Sequence, residues 1–418
     1  MSSSPSGQGP PRGLAYRALG AYSRLSQRLH GGARPFEGGE EELLEEARDR
    51  TGLDDFGDER FRTGLGILLE GYDREARLNA FGRLNVRAEL LGVLSARLGL
   101  IDQWKRRPEV RGAPVERPLF IVGLPRTGTS ALHDLLAEDP AHQVLEYWLA
   151  ASPTPRPTEE IARSDPRLRA ARRELRAIYM LDPGLRALHD MRAEGPEECR
   201  HLFRHNFLDD TFDSMATLPR YGEWFREQDL GHVYAWHRDA LALVQSTTPG
   251  RRWVLKYPAH LRNLDLLFAT YPDACVIQTH RDPVDVLPSL CSLVYRLRCL
   301  YSDAVDPHAV GRWQLEMWAQ ILDQGLEVRR RHDPARFHDV HFAQFQRDPV
   351  ESIRAIQDRL GGDFDAESAR RIQRYRTAHP KGEHGGHTYR AEDYGLTKNQ
   401  IRDRFAAYRE AFDLDRPR

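Results

Sequence analysis

Cysteine and lysine are scarce in this chain, and its apolar runs are short. The 418 residues include four cysteines, none of them in a Cys-x-x-Cys pair, which argues against a disulfide framework and against a zinc site of regular spacing. The formal net charge is −1, so no global field attracts nucleic acid or an anionic membrane. No apolar run is long enough to cross a bilayer, and no secretory leader pattern is present. We therefore expect a globular, cytoplasmic protein that does not bind nucleic acid.

Lysine is by far the rarer of the two basic residues. Lysine and arginine together number 61, and only four of them are lysines, at positions 105, 256, 381 and 398. A lysine that is kept in so arginine-rich a chain is a candidate for a role that needs a compact, mobile charge. Two of the four, Lys256 and Lys381, fall in segments that other signals also single out.

The chain is organised around the segment 118–132. It begins with the apolar run Leu119–Val122, which has the length and composition of a buried parallel strand. Gly123 and Pro125 break this run, and apolar residues return at helical spacing after Gly128. A strand, a glycine-containing turn and a helix N-terminus together collect backbone N–H groups around an anion and add the positive end of a helix dipole. The segment therefore predicts an anion-binding loop.

This loop differs from a nucleotide-binding P-loop in the position of its positive charge. Gly123 and Gly128 are five residues apart, as in a P-loop, and Ser130 stands where the magnesium-binding hydroxyl would be. The lysine that contacts the β- and γ-phosphates is replaced by Thr129. The cation lies within the turn instead, at Arg126, which disfavours a magnesium nucleotide as the ligand.

A second anion site is predicted at the end of another apolar strand, residues 274–280. The run His280-Arg281-Asp282-Pro283 closes this strand, and Ser289 follows two helical turns later. Arg281 and Ser289 can therefore face one phosphate group, for which the fixed donor fork of a guanidinium is well suited.

Strand and helix patterns alternate along the chain, which predicts an α/β fold. Apolar runs at 119–122, 252–256, 274–280 and 336–341 predict a parallel sheet flanked by helices. Helical patterns between about 158 and 250, including one over 196–207, predict an insertion that would build a substrate pocket. We divide the chain into a disordered tail with a basic helix (1–34), a helical N-terminal subdomain (35–115) and an α/β domain (116–418).

Residues 12–34 contain no acidic residue and carry apolar residues at helical spacing. A basic amphipathic helix of this kind can target the chain, lie on a membrane surface, or dock on the protein body or a second subunit. We favour docking over contact with a membrane.

Taken together, these segments resemble the sulfotransferases that use 3′-phosphoadenosine 5′-phosphosulfate (PAPS), and specifically the bacterial branch with an arginine in the loop. The resemblance runs from about Glu41 to the C-terminus, and the pair of segments 123–130 and 281–289 carries it most specifically. It implies a P-loop-like α/β fold and transfer of a sulfuryl group from PAPS to an acceptor hydroxyl. It implies no metal.

The resemblance also assigns roles to individual residues. Those that would hold the 5′-phosphosulfate are Gly123, Pro125, Arg126, Thr127, Gly128, Thr129 and Ser130. The 3′-phosphate would be held by Arg281, Ser289 and Lys381, the last from a late glycine-rich segment. Lys256 and Arg126 would stabilise the charge that develops on the departing phosphate oxygen.

Two residues are candidates for the base that deprotonates the acceptor. Glu146 follows the loop arginine by 20 residues, a spacing that resembles tyrosylprotein sulfotransferases, and its apolar neighbours would raise its pKa by desolvation. His260 follows Lys256 by four residues, whereas cytosolic sulfotransferases place a histidine two residues after the matching lysine. We favour Glu146, and we expect Glu197 and Glu198 to lie on a helix surface.

Two alternatives stay open at this point. A P-loop small-molecule kinase or NTPase would bind ATP with magnesium, but it lacks the loop lysine and has cations where an acidic magnesium ligand belongs. A degenerate sulfotransferase fold would bind ligand without turnover, and the complete set of motif residues argues against such decay. The apolar segments 145–149 and 202–225 indicate a small lipophilic or aromatic acceptor.

Overall fold

The computed structural model describes residues 36, 39–181, 186, 190–379 and 389–415. The predictions made for residues 12–34 and for Lys381 lie outside these ranges. Among the described helices, none combines the length and apolar character that a membrane span requires.

Five parallel strands form a single sheet. In chain order they are β1 (Leu119–Gly123), β2 (His142–Gln143), β3 (Arg252–Lys256), β4 (Cys275–His280) and β5 (Phe337–His341). Their order in the sheet is β2-β3-β1-β4-β5, and every neighbouring pair is parallel. The predicted parallel sheet is thus confirmed, and β2 is a short edge strand that the sequence pattern did not indicate.

The helices surround this sheet on both faces. In chain order they are α1 Glu40–Thr51, α2 Phe61–Arg74, α3 Ala80–Arg106, α4 Thr129–Ala137, α5 Tyr147–Ala151, α6 Glu159–Ser164, α7 Pro166–Leu181, α8 Arg200–Arg204, α9 Thr211–Met215, α10 Pro219–Arg226, α11 Gly231–Gln245, α12 Leu264–Thr270, α13 Pro283–Tyr301, α14 Pro307–Arg331, α15 Phe342–Arg347, α16 Pro349–Leu360, α17 Ala366–Ala378, α18 Lys398–Arg404 and α19 Ala406–Ala411. Short 3-10 turns cover Pro108–Val110, Pro258–Asn263, Pro334–Arg336 and Ala391–Tyr394.

The central strand β1 divides the hydrophobic core into two parts, because successive side chains of a strand point to opposite faces. Phe120 and Val122 pack into a large core built mostly from helices. Leu119 and Ile121 pack into a smaller core on the other face, with α4 and α16. All five residues of β1 are buried, so this strand fixes the position of whatever follows it.

Helices α1–α3 belong to the large core. Buried side chains of these helices share it with α8, α11 and α13, and a Cβ at Gly82 of α3 would lie 2.2 Å from the Tyr301 carbonyl oxygen. Because only glycine fits at this distance, the backbone of α3 packs directly against the end of α13. The boundary proposed at residue 115 stays a prediction, whereas the expected helical insertion is present between β2 and β3 as α5–α11.

The order of the strands indicates which edge of the sheet would bind a ligand. After β1 the chain passes to β2 and β3 on one side, and it later enters β4 on the other side. In such open sheets ligands gather beyond the carboxyl ends of the strands at the point where the connections change direction. The loop after β1 lies at this point, beside the ends of β3 and β4.

Replacing Gly123 with alanine is expected to destabilise the protein. The new Cβ would lie 2.5 Å from Thr279 Oγ1 and 2.6 Å from the Thr279 carbonyl oxygen, at a φ of 133° that side chains rarely adopt. We expect a loss of about 2–3 kcal/mol, measured by chemical denaturation. The control is Gly99→Ala on α3, where nothing lies within 4 Å and a gain of about 0.5–1 kcal/mol is expected. Equal stability of the two variants would contradict this account.

Candidate functional site

The loop after β1 has a backbone shape that its sequence explains. Gly123 and Gly128 have positive φ angles of 133° and 92°, and Arg126 is held at 72°. The buried Thr127 hydroxyl donates to the Leu124 carbonyl oxygen at 2.6 Å and lies 2.5 Å from Thr279 Oγ1. Thr127 therefore closes the turn and ties it to β4. Helix α4 begins next, with Gly128 as an N-cap that offers no side-chain acceptor to the first N–H groups.

Arg126 and Arg281 meet behind this loop. Arg126 Nε donates to Ser289 Oγ at 3.3 Å, and Arg281 Nη1 donates to the Arg126 carbonyl oxygen at 3.4 Å. Burial lowers the pKa of Arg126, and the nearby Arg281 cation lowers it further. The structure thus brings the residues of the two predicted anion sites into direct contact. The two guanidinium groups repel each other, and anions bound at these residues would offset this repulsion.

Lys256 connects the loop to the opposite wall of the site. Only 3% of this side chain is exposed, and its Nζ donates to Ser130 Oγ at 3.0 Å. The same Nζ lies 3.0 Å from Glu198 Oε1, and Arg200 Nε lies 3.3 Å from Glu198 Oε2. A buried ammonium needs such a counter-charge, because desolvation penalises an unpaired one.

The expectation that Glu197 and Glu198 lie on a helix surface is wrong. Helix α8 begins only at Arg200, Glu197 is buried, and Glu198 lines a cavity. The preceding segment is held to the sheet, since the Cys199 N–H donates to the Lys256 carbonyl oxygen at 3.0 Å. No local sequence signal indicated this arrangement, because Pro196 favours a helix that begins four residues before α8 does.

Glu146 lies close to the site but outside the cavity. It is the N-cap of α5, and its carboxylate is paired with Arg156. Its backbone forms an isolated bridge with Pro196, in the segment that leads to Glu198. The next residue, Tyr147, lines the cavity and donates from its hydroxyl to Glu174 at 3.0 Å.

His260 lies in the interior beneath the site. Its side chain is fully buried, and its Nδ1 is 2.8 Å from the Tyr234 hydroxyl. Burial lowers its pKa well below the ordinary value, so the ring is neutral. It is not among the residues that line the cavity.

A cavity of about 620 Å³ opens beside the loop, within the usual size range of small-molecule sites. Residues of the loop after β1 and the side chain of Glu198 line part of this cavity. Helices α3, α7 and α13 contribute apolar walls, including Val93, Ile178, Leu293, Val294 and Leu297. Polar and charged side chains also line the cavity, among them Glu174, Asp210 and the ion pair of Glu89 with Arg204.

An acidic cluster borders the cavity beneath Tyr257. The Tyr257 hydroxyl lies 3.0 Å from Asp209 Oδ2 and also contacts Asp210, while the Thr211 N–H donates to Asp209 Oδ1 at 2.7 Å. Burial, and then the neighbouring Asp210 carboxylate, raise the pKa of Asp209 to about 7. A carboxyl group that stays protonated near neutral pH can donate as well as accept hydrogen bonds.

The loop after β1, the guanidinium groups of Arg126 and Arg281 and the adjacent cavity are features expected of a P-loop-like transferase. The profile of the sulfotransferase family matches residues 118–366. The chain belongs to this family, and it is a sulfotransferase. The kinase alternative is accordingly not favoured.

Individual relatives agree with this assignment. Omega-hydroxy-beta-dihydromenaquinone-9 sulfotransferase Stf3 of Mycobacterium bovis is 28% identical over 307 residues, which cover 68% of this chain and 71% of the relative. The solved sulfotransferase STF1 from Mycobacterium tuberculosis H37Rv is 36% identical, with a TM-score of 0.79 and coverage of 88% of this chain and 98% of its own. Sulfotransferase STF9 from Mycobacterium avium is 32% identical, with a TM-score of 0.82 and coverage of 90% and 97%. The predicted P-loop-like fold is confirmed by these neighbours.

The acidic cluster predicts a pH dependence of stability. Because the pKa of Asp209 is raised by folding, its neutral form favours the folded state below the ordinary value near 4, and this contribution is lost as the pH rises to about 7. The amide introduced by Asp209→Asn would resemble the neutral form at every pH. The melting temperature of this variant relative to the parent protein should therefore rise between pH 4 and pH 7. A difference that is constant over this range, or that falls, would contradict the assignment.

Proposed function

We propose that this sulfotransferase moves the sulfuryl group of PAPS to the hydroxyl of a lipophilic acceptor bound in the 620 Å³ cavity. One observation carries the proposal. Lys256 Nζ contacts both Ser130 of the anion-binding loop and Glu198 of the cavity wall, so donor and acceptor would meet at this ammonium group.

The donor would be held by the two contacting anion sites. The N–H groups of the loop 123–130 and the Arg126 side chain suit the 5′-phosphosulfate. Arg281 and Ser289 suit the 3′-phosphate, with Lys381 as a further contact that stays a prediction. Thr127 serves this site indirectly, since its hydroxyl is engaged within the turn.

Transfer would proceed by in-line attack of the acceptor oxygen on sulfur. The bond between sulfur and the bridging oxygen breaks as the new S–O bond forms, and negative charge develops on the departing phosphate. Lys256 and Arg126 would stabilise this charge, an effect that is large when the donors are fixed in advance and shielded from water. The acceptor proton leaves to a base, and the chemistry itself uses no metal.

Glu198 is the base that the geometry favours. It is the carboxylate that contacts Lys256 and also lines the cavity. When the sulfuryl group takes over the hydrogen bonds of Lys256, a Glu198 oxygen is released to accept the acceptor proton. Glu146 and His260 are less well placed, because Glu146 is paired with Arg156 outside the cavity and His260 is enclosed in the core.

The cavity walls support the proposed class of acceptor. Side chains of α3, α7 and α13 present an apolar surface next to the reacting groups, which favours a lipophilic alcohol. The Stf3 relative, named for an omega-hydroxy menaquinone, also supports a lipophilic hydroxyl compound. A cytoplasmic location, and docking of residues 12–34 on the protein body or on a second subunit, remain predictions.

Donor binding can be tested by thermal shift with the desulfated product 3′-phosphoadenosine 5′-phosphate (PAP). A ligand that binds only the folded state raises the melting temperature by mass action, so PAP should stabilise the protein and ATP with magnesium should not. Arg281→Ala should weaken PAP binding about 10- to 100-fold, the usual effect of losing a charged hydrogen-bonding partner. The exposed Arg402→Ala is the matched control and should leave binding unchanged.

Stabilisation by ATP with magnesium and not by PAP would overturn the donor assignment. Stabilisation by PAP without any sulfated product from a panel of lipophilic alcohols would instead favour the degenerate fold that binds without turnover.

The base can be tested with Glu198→Gln. This change keeps the shape of the side chain but removes its basicity, so kcat should fall about 10²- to 10⁴-fold while PAP still stabilises the protein. The comparison is Glu146→Gln, which should change kcat only a few fold. Sulfate transfer from labelled PAPS gives the readout. A large loss in Glu146→Gln together with near-normal turnover in Glu198→Gln would reverse the assignment.

A further inference from the structure

Three ligand-type side chains converge in the large core beneath the site. Cys199, His237 and His260 are each fully buried. The Cys199 sulfur and one ring nitrogen from each histidine all lie within 4.8 Å of one another. Cys199 precedes α8, His237 lies on α11 and His260 follows β3, so the spacing along the sequence gives no sign of this cluster.

The two histidines have the same hydrogen-bonding arrangement. His237 Nδ1 is 2.6 Å from the Tyr271 hydroxyl, and His260 Nδ1 is 2.8 Å from the Tyr234 hydroxyl. The buried Nε2 atoms of both rings have no hydrogen-bond partner within the described part of the chain. Leaving a buried polar atom unsatisfied is costly. Histidines that bind a metal through one nitrogen commonly have the other nitrogen hydrogen-bonded, as both are here.

We propose that Cys199, His237 and His260 form a buried structural site for a thiophilic d10 cation, Cu⁺ or Zn²⁺. One thiolate and two imidazoles are ligands that both ions accept. Around one ion at about 2.0–2.3 Å the three ligand atoms stand roughly 3.3–3.7 Å apart. Binding therefore needs only a convergence of about 1 Å in these side chains.

Charge and ligand number favour Cu⁺ over Zn²⁺. A Cu⁺ ion with one thiolate gives a neutral centre, whereas Zn²⁺ would leave a net positive charge in the core, which burial penalises. Structural zinc also usually takes four ligands, and the described residues offer three here. The surroundings are apolar, since the rings of Phe120 and Phe203 pack against both histidines.

The position of the site indicates that a bound ion would stabilise the arrangement of the neighbouring segments. Cys199 is next to Glu198, and its N–H donates to the Lys256 carbonyl oxygen at 3.0 Å. His260 follows Lys256 by four residues. A bound ion would thus cross-link the two segments that carry the Lys256–Glu198 contact. It would take no part in the transfer of the sulfuryl group.

The test is metal content and binding in the full-length protein. The metal-free protein is titrated separately with Zn²⁺ and, under reducing conditions, with Cu⁺ against a competing chelator. We expect one equivalent of Cu⁺ and a higher melting temperature on binding. X-ray absorption of the loaded parent protein should show one sulfur and two nitrogen ligands, a result that needs no variant. Cys199→Ala should lose this equivalent, and Cys291→Ala, which removes another fully buried free thiol, should keep it.

One equivalent of Zn²⁺ and none of Cu⁺ would keep the site and overturn the preference for Cu⁺. Failure to bind either ion, ligands other than one sulfur and two nitrogens, or equal binding by Cys199→Ala would overturn the site. None of these readouts depends on sulfate transfer.

Discussion

The buried ammonium group of Lys256 sets the arrangement of the whole site. A charge that is only 3% exposed must be neutralised locally, and the partners of Lys256 come from two other segments, the loop after β1 and the strand-like stretch before α8. These segments can meet because β1 and β3 are neighbours in the sheet. The Lys256–Glu198 ion pair and the hydrogen bond to Ser130 therefore fix the loop after β1, the end of β3 and the cavity wall relative to one another.

The two faces of the sheet serve different purposes. The smaller core supports α4 and so holds the helix N-terminus that follows the loop. The larger core joins the N-terminal helices to the insertion, and the cavity lies among helices of this part. Under the proposed function, binding of the anion would thus depend on short connections to the sheet, whereas recognition of the acceptor would depend on helices contributed by distant stretches of sequence.

Local patterns predicted much of this architecture. The strand at 252–256 has the predicted bounds, and β4 begins one residue later than expected, because buried parallel strands leave continuous apolar runs that are easy to recognise. The two-residue edge strand β2 is too short to produce such a pattern. Contact between Arg126 and Ser289 also agrees with the sequence, since both motifs follow strands that lie side by side.

Non-local contacts explain what the sequence did not reveal. The helical pattern predicted over 196–207 begins to form only at Arg200, since a bridge to Glu146 and a hydrogen bond to Lys256 hold the preceding residues against the sheet. These tertiary contacts override local helix propensity, and they turn Glu198 toward the cavity. The Cys199–His237–His260 cluster has the same origin, because its members are adjacent only after the insertion has packed.

The contact between Arg126 and Arg281 has a further consequence for turnover. The Arg281 cation contributes to the lowered pKa of the buried Arg126 guanidinium, and anions bound at these two side chains would offset this repulsion. Under the proposed function, free sulfate or phosphate in a buffer would compete with the phosphate groups of the donor. The desulfated nucleotide keeps both of its phosphates and would retain much of the attraction that held the donor. Release of this nucleotide would then be faster at higher ionic strength, because salt screens the attraction between charges.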